Sequence, residues 1–161
     1  MDIVDYIYDE CHRQHVTNYG DFAKALHSAN AGPNMELASM MGTDPVRSFE
    51  VFVMGIAEMV DPDVNTYNFE DNLRTSHVGF MHGGSAAPAN EVHDRFVRWC
   101  ELAYDIGLAN EYEMYANQLI NQLLDIHPWA DGNGRTASIL RNWMLGTLND
   151  PTPLPYYYGN V

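Results

Sequence analysis

The chain has 161 residues, 46% of them hydrophobic, with Lys plus Arg 8 against Asp plus Glu 22 and a net charge of −14, which suits one domain with a real core and is short for two. That acidity repels a nucleic-acid backbone and no basic run offsets it, so nucleic acid is not an expected partner. No uninterrupted apolar run approaches the ~20 residues of a membrane-spanning helix, and none is expected.

Cys11 and Cys100 lie far apart, and the start Met1 through Asp5 is acidic where a signal peptide would be basic. A reducing, cytoplasmic setting without a disulfide is the expectation. Ile3, Ile7 and Cys11 share one side of a predicted helix within residues 2–15, ended by Asn18 to Gly20. A second helix is predicted over 21–29, carrying Phe22, Ala25 and Leu26 and broken by Gly32-Pro33, and a brief third over 35–41. His12 and His15, near Cys11, lack the further ligands a zinc site needs, and they read as surface histidines.

Asp44-Pro45 has the form of a helix start, an acidic cap followed by proline at the first helical position. Phe49, Val53, Ile56, Ala57 and Val60 continue it as a core helix that stops near Asp61-Pro62. Met40, Met41, Met54 and Met59 read as packing around that helix. From Val64 to Ala89 the helical pattern ceases among Gly79, Gly83, Gly84 and Pro88. The residues there fit a loop, or a short hairpin whose exposed edge could seat a peptide.

Asn90 is expected to cap the next helix, in which Val92, Phe96, Trp99, Ala103 and Ile106 recur until Gly107. Asn110 with Glu113 resembles a capping box opening the helix that runs to Ile126. The tail from Asp150 holds three alternating prolines and Tyr156, Tyr157 and Tyr158, so it is predicted as an extended arm.

Between the last two helices stands His127-Pro128-Trp129-Ala130-Asp131-Gly132-Asn133-Gly134-Arg135. Pro128 disfavours continued helix, and the helical pattern resumes from Arg135 with Ala137, Leu140, Met144 and Leu148. Gly132 and Gly134 let backbone N–H groups approach a ligand, while the unpaired donors and dipole of a helix start favour phosphate. By their chemistry, His127 suits a general base, Asp131 a ligand of Mg²⁺, Asn133 and the glycine amides a phosphate cradle, and Arg135 a partner for a non-transferred phosphate. The plainer alternative is a glycine turn between core helices capped by His127 and Asp131. The coincidence of base, acid, amide-rich turn and arginine favours phosphate chemistry.

At these residues the sequence resembles the Fic (filamentation induced by cAMP) family, whose motif reads H-P-F-x-D-G-N-G-R-x-x-R. Trp129 stands for the Phe, and Ser138 replaces the final arginine. The resemblance implies an all-α helical bundle with a small β-hairpin flap at about residues 72–84, where Arg74 through His82 falls. It implies a single domain with its core at about 45–150, an N-terminal helical extension over 1–44 and the tail over 150–161. The implied activity is Mg²⁺-dependent transfer of a nucleoside monophosphate, AMP first, from ATP to a Ser, Thr or Tyr hydroxyl of a target protein. In that scheme His127 is the base, Asp131 holds the metal, and Gly132, Asn133, Gly134 and Arg135 bind the nucleotide. A regulatory protein acting in trans is compatible with it.

The missing arginine engages the terminal phosphate in the family, so Ser138 leaves two alternatives open: a transferase using another phosphate-containing donor, or a Fic scaffold retained as a binding module. Arg141 lies one turn beyond, rotated by about sixty degrees from the face of Ser138. Autoinhibited members carry S/T-x-x-x-E-G/N. Thr66 through Asp71 comes closest and fails at its last position, so no self-inhibition within the chain is expected.

Overall fold

Asp44 opens the central helix as its sequence requires: its carboxylate accepts the N–H of Val46 at 2.9 Å, with Pro45 at the first helical position. The computed structural model describes residues 1–40, 42–66, 71–80 and 83–155. Its helices are α1 (Ile3–Arg13), α2 (Tyr19–Ser28), α3 (Met35–Met40), α4 (Pro45–Val60), α5 (Val92–Leu108), α6 (Tyr112–Ile126) and α7 (Asn133–Leu145), with 3-10 turns at Ala29–Ala31 and Ala89–Glu91. The fold is all-α. Among the described residues no helix is long and apolar enough to cross a membrane.

Two apolar clusters flank α4 and α7. Phe49, Val53 and Ala57 of α4 pack with Phe96 and Trp99 of α5, Leu119 and Leu123 of α6, Trp129 and Leu140. On the other side Ile56 and Val60 pack with Tyr6, Phe22, Leu26 and Ile139. Burying each large side chain contributes roughly 1.5–3 kcal/mol, so both clusters hold α7 from opposite sides. As a result Asn133 through Leu140 are all buried, which is why α7 shows little polar-apolar alternation. The N-terminal extension thus contributes to a core it shares with α4 and α7.

Several local expectations are corrected. Asn90 lies in a 3-10 turn, and Glu91, without a side-chain cap, precedes α5. Asn110 forms no capping box; it has φ 58° and its N–H bonds the Gly107 carbonyl at 3.0 Å, closing the turn before α6. Asparagine tolerates this left-handed conformation, which suits a turn better than a cap. Helix α7 begins at Asn133, two residues before the apolar pattern resumes. Of the methionines read as packing, Met54 is buried, whereas Met40 and Met59 are exposed. Both cysteines are free and buried.

The tail turns inward before its tyrosines. Leu154 is buried, its N–H bonds Glu10 at 2.7 Å, and Arg13 donates to its carbonyl at 2.7 Å. Tyr156 to Tyr158, Met41, His82 and most of the Thr66–Asp71 segment lie outside the described residues. Where the hairpin is expected the described residues form no strand, only one isolated antiparallel bridge, Gly79 to Ser85, with Phe80 N–H to Gly84 O at 3.1 Å and Ala86 N–H to Val78 O at 3.0 Å.

Candidate active site

The nine-residue stretch forms a tight loop because its own side chains close it. Asn133 clamps Trp129 from both sides, accepting its N–H at 3.0 Å and donating to its carbonyl at 2.8 Å. The Trp129 ring is buried, and its indole N–H reaches Asn72 at 2.9 Å, as a buried indole requires. Asn65 secures the far end of the loop through the Asp131 carbonyl at 2.7 Å and the Ala57 carbonyl at 3.2 Å. Asn65 and Asn72 escape sequence reasoning, since an isolated asparagine in a loop carries no periodic or motif signal.

Gly132 and Gly134 are needed for more than ligand access. Gly132 has φ 77°, and a Cβ there would lie 2.8 Å from Val60. A Cβ on Gly134 would lie 2.6 Å from the Gln14 carboxamide oxygen. Gln14, just past α1, therefore rests against the start of α7. It closes one side of a cavity of about 60 Å³ that His127, Asp131, Gly132, Asn133 and Arg135 complete. A larger groove of about 610 Å³ lies between α5 and α6 beside Arg95, Arg98 and Trp99, without base or motif residue.

His127 caps α6 in a left-handed conformation, φ 52° and ψ 63°, with its N–H on the Leu123 carbonyl at 2.9 Å. Burial first, and then the charge of Arg74, depress its pKa to about 4, against the opposing pull of Asp131 and the Leu124 carbonyl. Neutral imidazole is thus the form present at physiological pH. Its Nδ1 is buried and makes no hydrogen bond of ordinary geometry, to the Leu124 carbonyl or any other group, which leaves Nε2 as the accessible nitrogen.

Asp131 is half exposed and meets two groups of opposite character. Arg135 donates to it at 3.2 Å, and a hydrogen bond joins it to Asp61. That hydrogen bond, followed by burial and the nearby charge, raises Asp61 to about 6. Burial pushes Asp131 upward too, but Asp61, Arg135 and the Gly132 amide outweigh it and hold Asp131 below the usual carboxylate range. Of the two carboxyls, Asp61 is therefore the one held up and Asp131 the one held down.

Two carboxyls forced together would gain from a cation, and Mg²⁺ commonly uses one or two carboxylates plus substrate oxygens. Among the described residues no cluster of three or more His, Cys, Asp or Glu stands ready for a metal. Phosphate oxygens would have to complete the set around Asp131.

A Fic/DOC family model matches residues 56–145, from the last turns of α4 to the end of α7, more than half of the chain. The chain belongs to the Fic/DOC family. Fic membership brings with it the expectation of transferase activity. No curated protein and no solved structure matches the chain.

The remaining Fic motif positions point inward. Arg135 is 1% exposed, and its guanidinium bonds Asn18 at 2.9 Å, the Val60 carbonyl at 3.4 Å and Asp131. It lines the cavity edge while tying α7 to the second core. Ser138, where the second Fic arginine would stand, is fully buried with Oγ 2.6 Å from the Tyr6 hydroxyl. Beside it lies the carboxylate of Glu10, 1% exposed, which Gln14, Arg13 and the Leu154 N–H satisfy. Burial raises the pKa of both Tyr6 and Glu10.

Arg141 does not take over from the missing arginine. It bonds Asn117 at 2.9 Å and Thr152 at 2.9 Å, between α6 and the tail. The rotation of about sixty degrees that a three-residue offset brings accounts for this. His77 is exposed, as expected of a loop residue.

Proposed function

We propose that this Fic protein transfers a nucleoside monophosphate, AMP first, from a nucleotide donor to a Ser, Thr or Tyr hydroxyl of a protein, with Mg²⁺. The observation that supports it most is a neutral His127 whose Nε2 is accessible, sharing one cavity with Asp131 and the N-terminal turn of α7. Nε2 takes the proton of the attacking hydroxyl as its oxygen bonds the α-phosphorus, and pyrophosphate leaves. The unpaired amides of the α7 start hold the phosphate oxygens, helped by the helix dipole. Asp131 would hold Mg²⁺, which would neutralise the charge that develops on those oxygens. Asn133 contributes by fixing the loop, since its amide is spent on Trp129.

One feature favours a second reading of the donor. Ser138, where a second arginine would meet the terminal phosphate, is buried against Tyr6 and beside Glu10, and the cavity wall next to it is the neutral amide of Gln14. A donor with a shorter phosphate chain meets less of that wall. The test is incubation of the purified protein with Mg²⁺ and a panel of labelled donors in cell lysate. Label on protein from at least one donor supports transfer, and its donor identity separates the two readings. No label from any donor contradicts both.

A further inference from the structure

Arg74 is a buried cation, 4% exposed, and among the described residues it pairs with no carboxylate. All of its side-chain hydrogen bonds go to backbone carbonyls drawn from three segments. Nε donates to His127 O at 2.5 Å, Nη2 to Ile126 O at 3.0 Å and Ala87 O at 2.6 Å, and Nη1 to Ser76 O at 2.7 Å. Its own N–H adds Pro128 O at 2.8 Å. Removing a charged guanidinium from water is costly, and carbonyls repay it less fully than a carboxylate. Such an arrangement persists where the bonded backbone must be held in one place.

The backbone in question is that of the proposed base. The carbonyls of Ile126 and His127 end α6 and have no helical partner, and His127 holds a left-handed conformation that costs energy for a non-glycine residue. Arg74 supplies donors to both carbonyls and to the one after them. The same guanidinium binds Ser76 and Ala87, the two ends of the bridged turn, and from that turn Phe80 sets its ring edge-on to His127 at 5.5 Å between centroids. Backbone and ring of His127 are thereby referred to one side chain.

Resting on the transferase reading, we propose that Arg74 is a positioning residue that fixes the orientation of His127 and couples the bridged segment carrying Phe80 to the proton-accepting ring. Lysine cannot reproduce this, because a single ammonium lacks the planar fork that reaches four carbonyls. The charged groups facing the imidazole are Arg74 on one side and Asp131 on the other, with Arg135 on the cavity edge already paired to Asp131; Phe80 and Gln14 are neutral.

The test compares the wild type with Arg74→Lys and Arg74→Met in the full chain. Label transfer per folded molecule should fall roughly ten- to a hundredfold in both, the scale of a misplaced reacting group. In parallel, NMR titration of the His127 ring should move upward toward the ordinary ~6.5 in Arg74→Met and change its chemical shifts in Arg74→Lys. The ring titration is read whether or not transfer is detected, so failure of the transferase reading leaves this measurement standing. Lowered melting temperature with unchanged transfer per folded molecule and unchanged His127 resonances would make Arg74 merely structural and overturn the proposal. If the variants do not fold, the wild type decides: the Arg74 Nε–H resonance should exchange slowly and follow the His127 titration, and a fast-exchanging resonance indifferent to it overturns the proposal.

Discussion

The hydroxyl of Tyr6 stands 2.6 Å from Oγ of Ser138, joining residues 132 positions apart in a site from which water is excluded. The serine is therefore a packed partner of α1 and no vacant remnant of an arginine. Ser138→Arg would push a long cation between Tyr6 and Glu10. It should destabilise the protein by roughly 1–3 kcal/mol through overpacking, read as a lowered denaturant midpoint. An unchanged midpoint would mean that α1 yields easily and that the wall beside the cavity is soft.

The two motif glycines should respond differently to alanine. Gly132→Ala must adopt a left-handed conformation and meet Val60, so a loss of at least about 1–2 kcal/mol is expected. Gly134→Ala meets only the far end of the Gln14 side chain, which can swing away. Its stability cost should be the smaller of the two by thermal unfolding, and equal costs would show that Gln14 is held rigidly.

The protonation of His127 carries a sign for stability. The folded protein binds this proton more weakly than the unfolded chain, so acid favours unfolding. Stability is complete above the ordinary ~6.5 and declines as pH falls toward about 4, with no further loss from this residue below that. Replacing His127 with Asn should remove this component, by no more than about 3 kcal/mol, as read from unfolding free energies at several pH values. Parallel pH profiles for the two proteins would contradict the burial assigned to the ring.

Asp61 should report on its partner. In Asp131→Asn the carboxylate that accepts the Asp61 proton and its like charge both disappear, and the Asp61 carboxyl should fall from about 6 toward the ordinary ~3.9 in a carbon-detected NMR titration. A value that stays near 6 would assign the shift to burial instead.

The helices were legible because apolar spacing is a local property: Phe49, Val53, Ile56 and Val60 mark α4 without reference to anything else. The motif likewise marks the loop, His127, Asp131 and the start of α7. What stayed hidden depends on contacts across the chain. Nothing about Tyr6 or Glu10 announces that α1 lies on Ser138, and Gln14 looks like a helix end until Gly134 is seen against it. Arg74 sits in a stretch with weak propensity, and only the fold reveals that its fork collects the carbonyls around His127. Asn133 and Arg135 carry motif identity, yet their side chains are committed to Trp129, Asn18 and Asp131, a fact set by burial of α7 on all sides.

The central claim is that His127 is the base of a phosphate-transfer reaction onto protein. The most direct measurement follows label from ATP carrying its isotope on the α-phosphorus, with Mg²⁺, comparing the wild type with His127→Ala at equal folded concentration. Protein-bound label is expected with the wild type, and a loss of roughly a hundredfold or more in the variant. Equal labelling by the two proteins would contradict that claim.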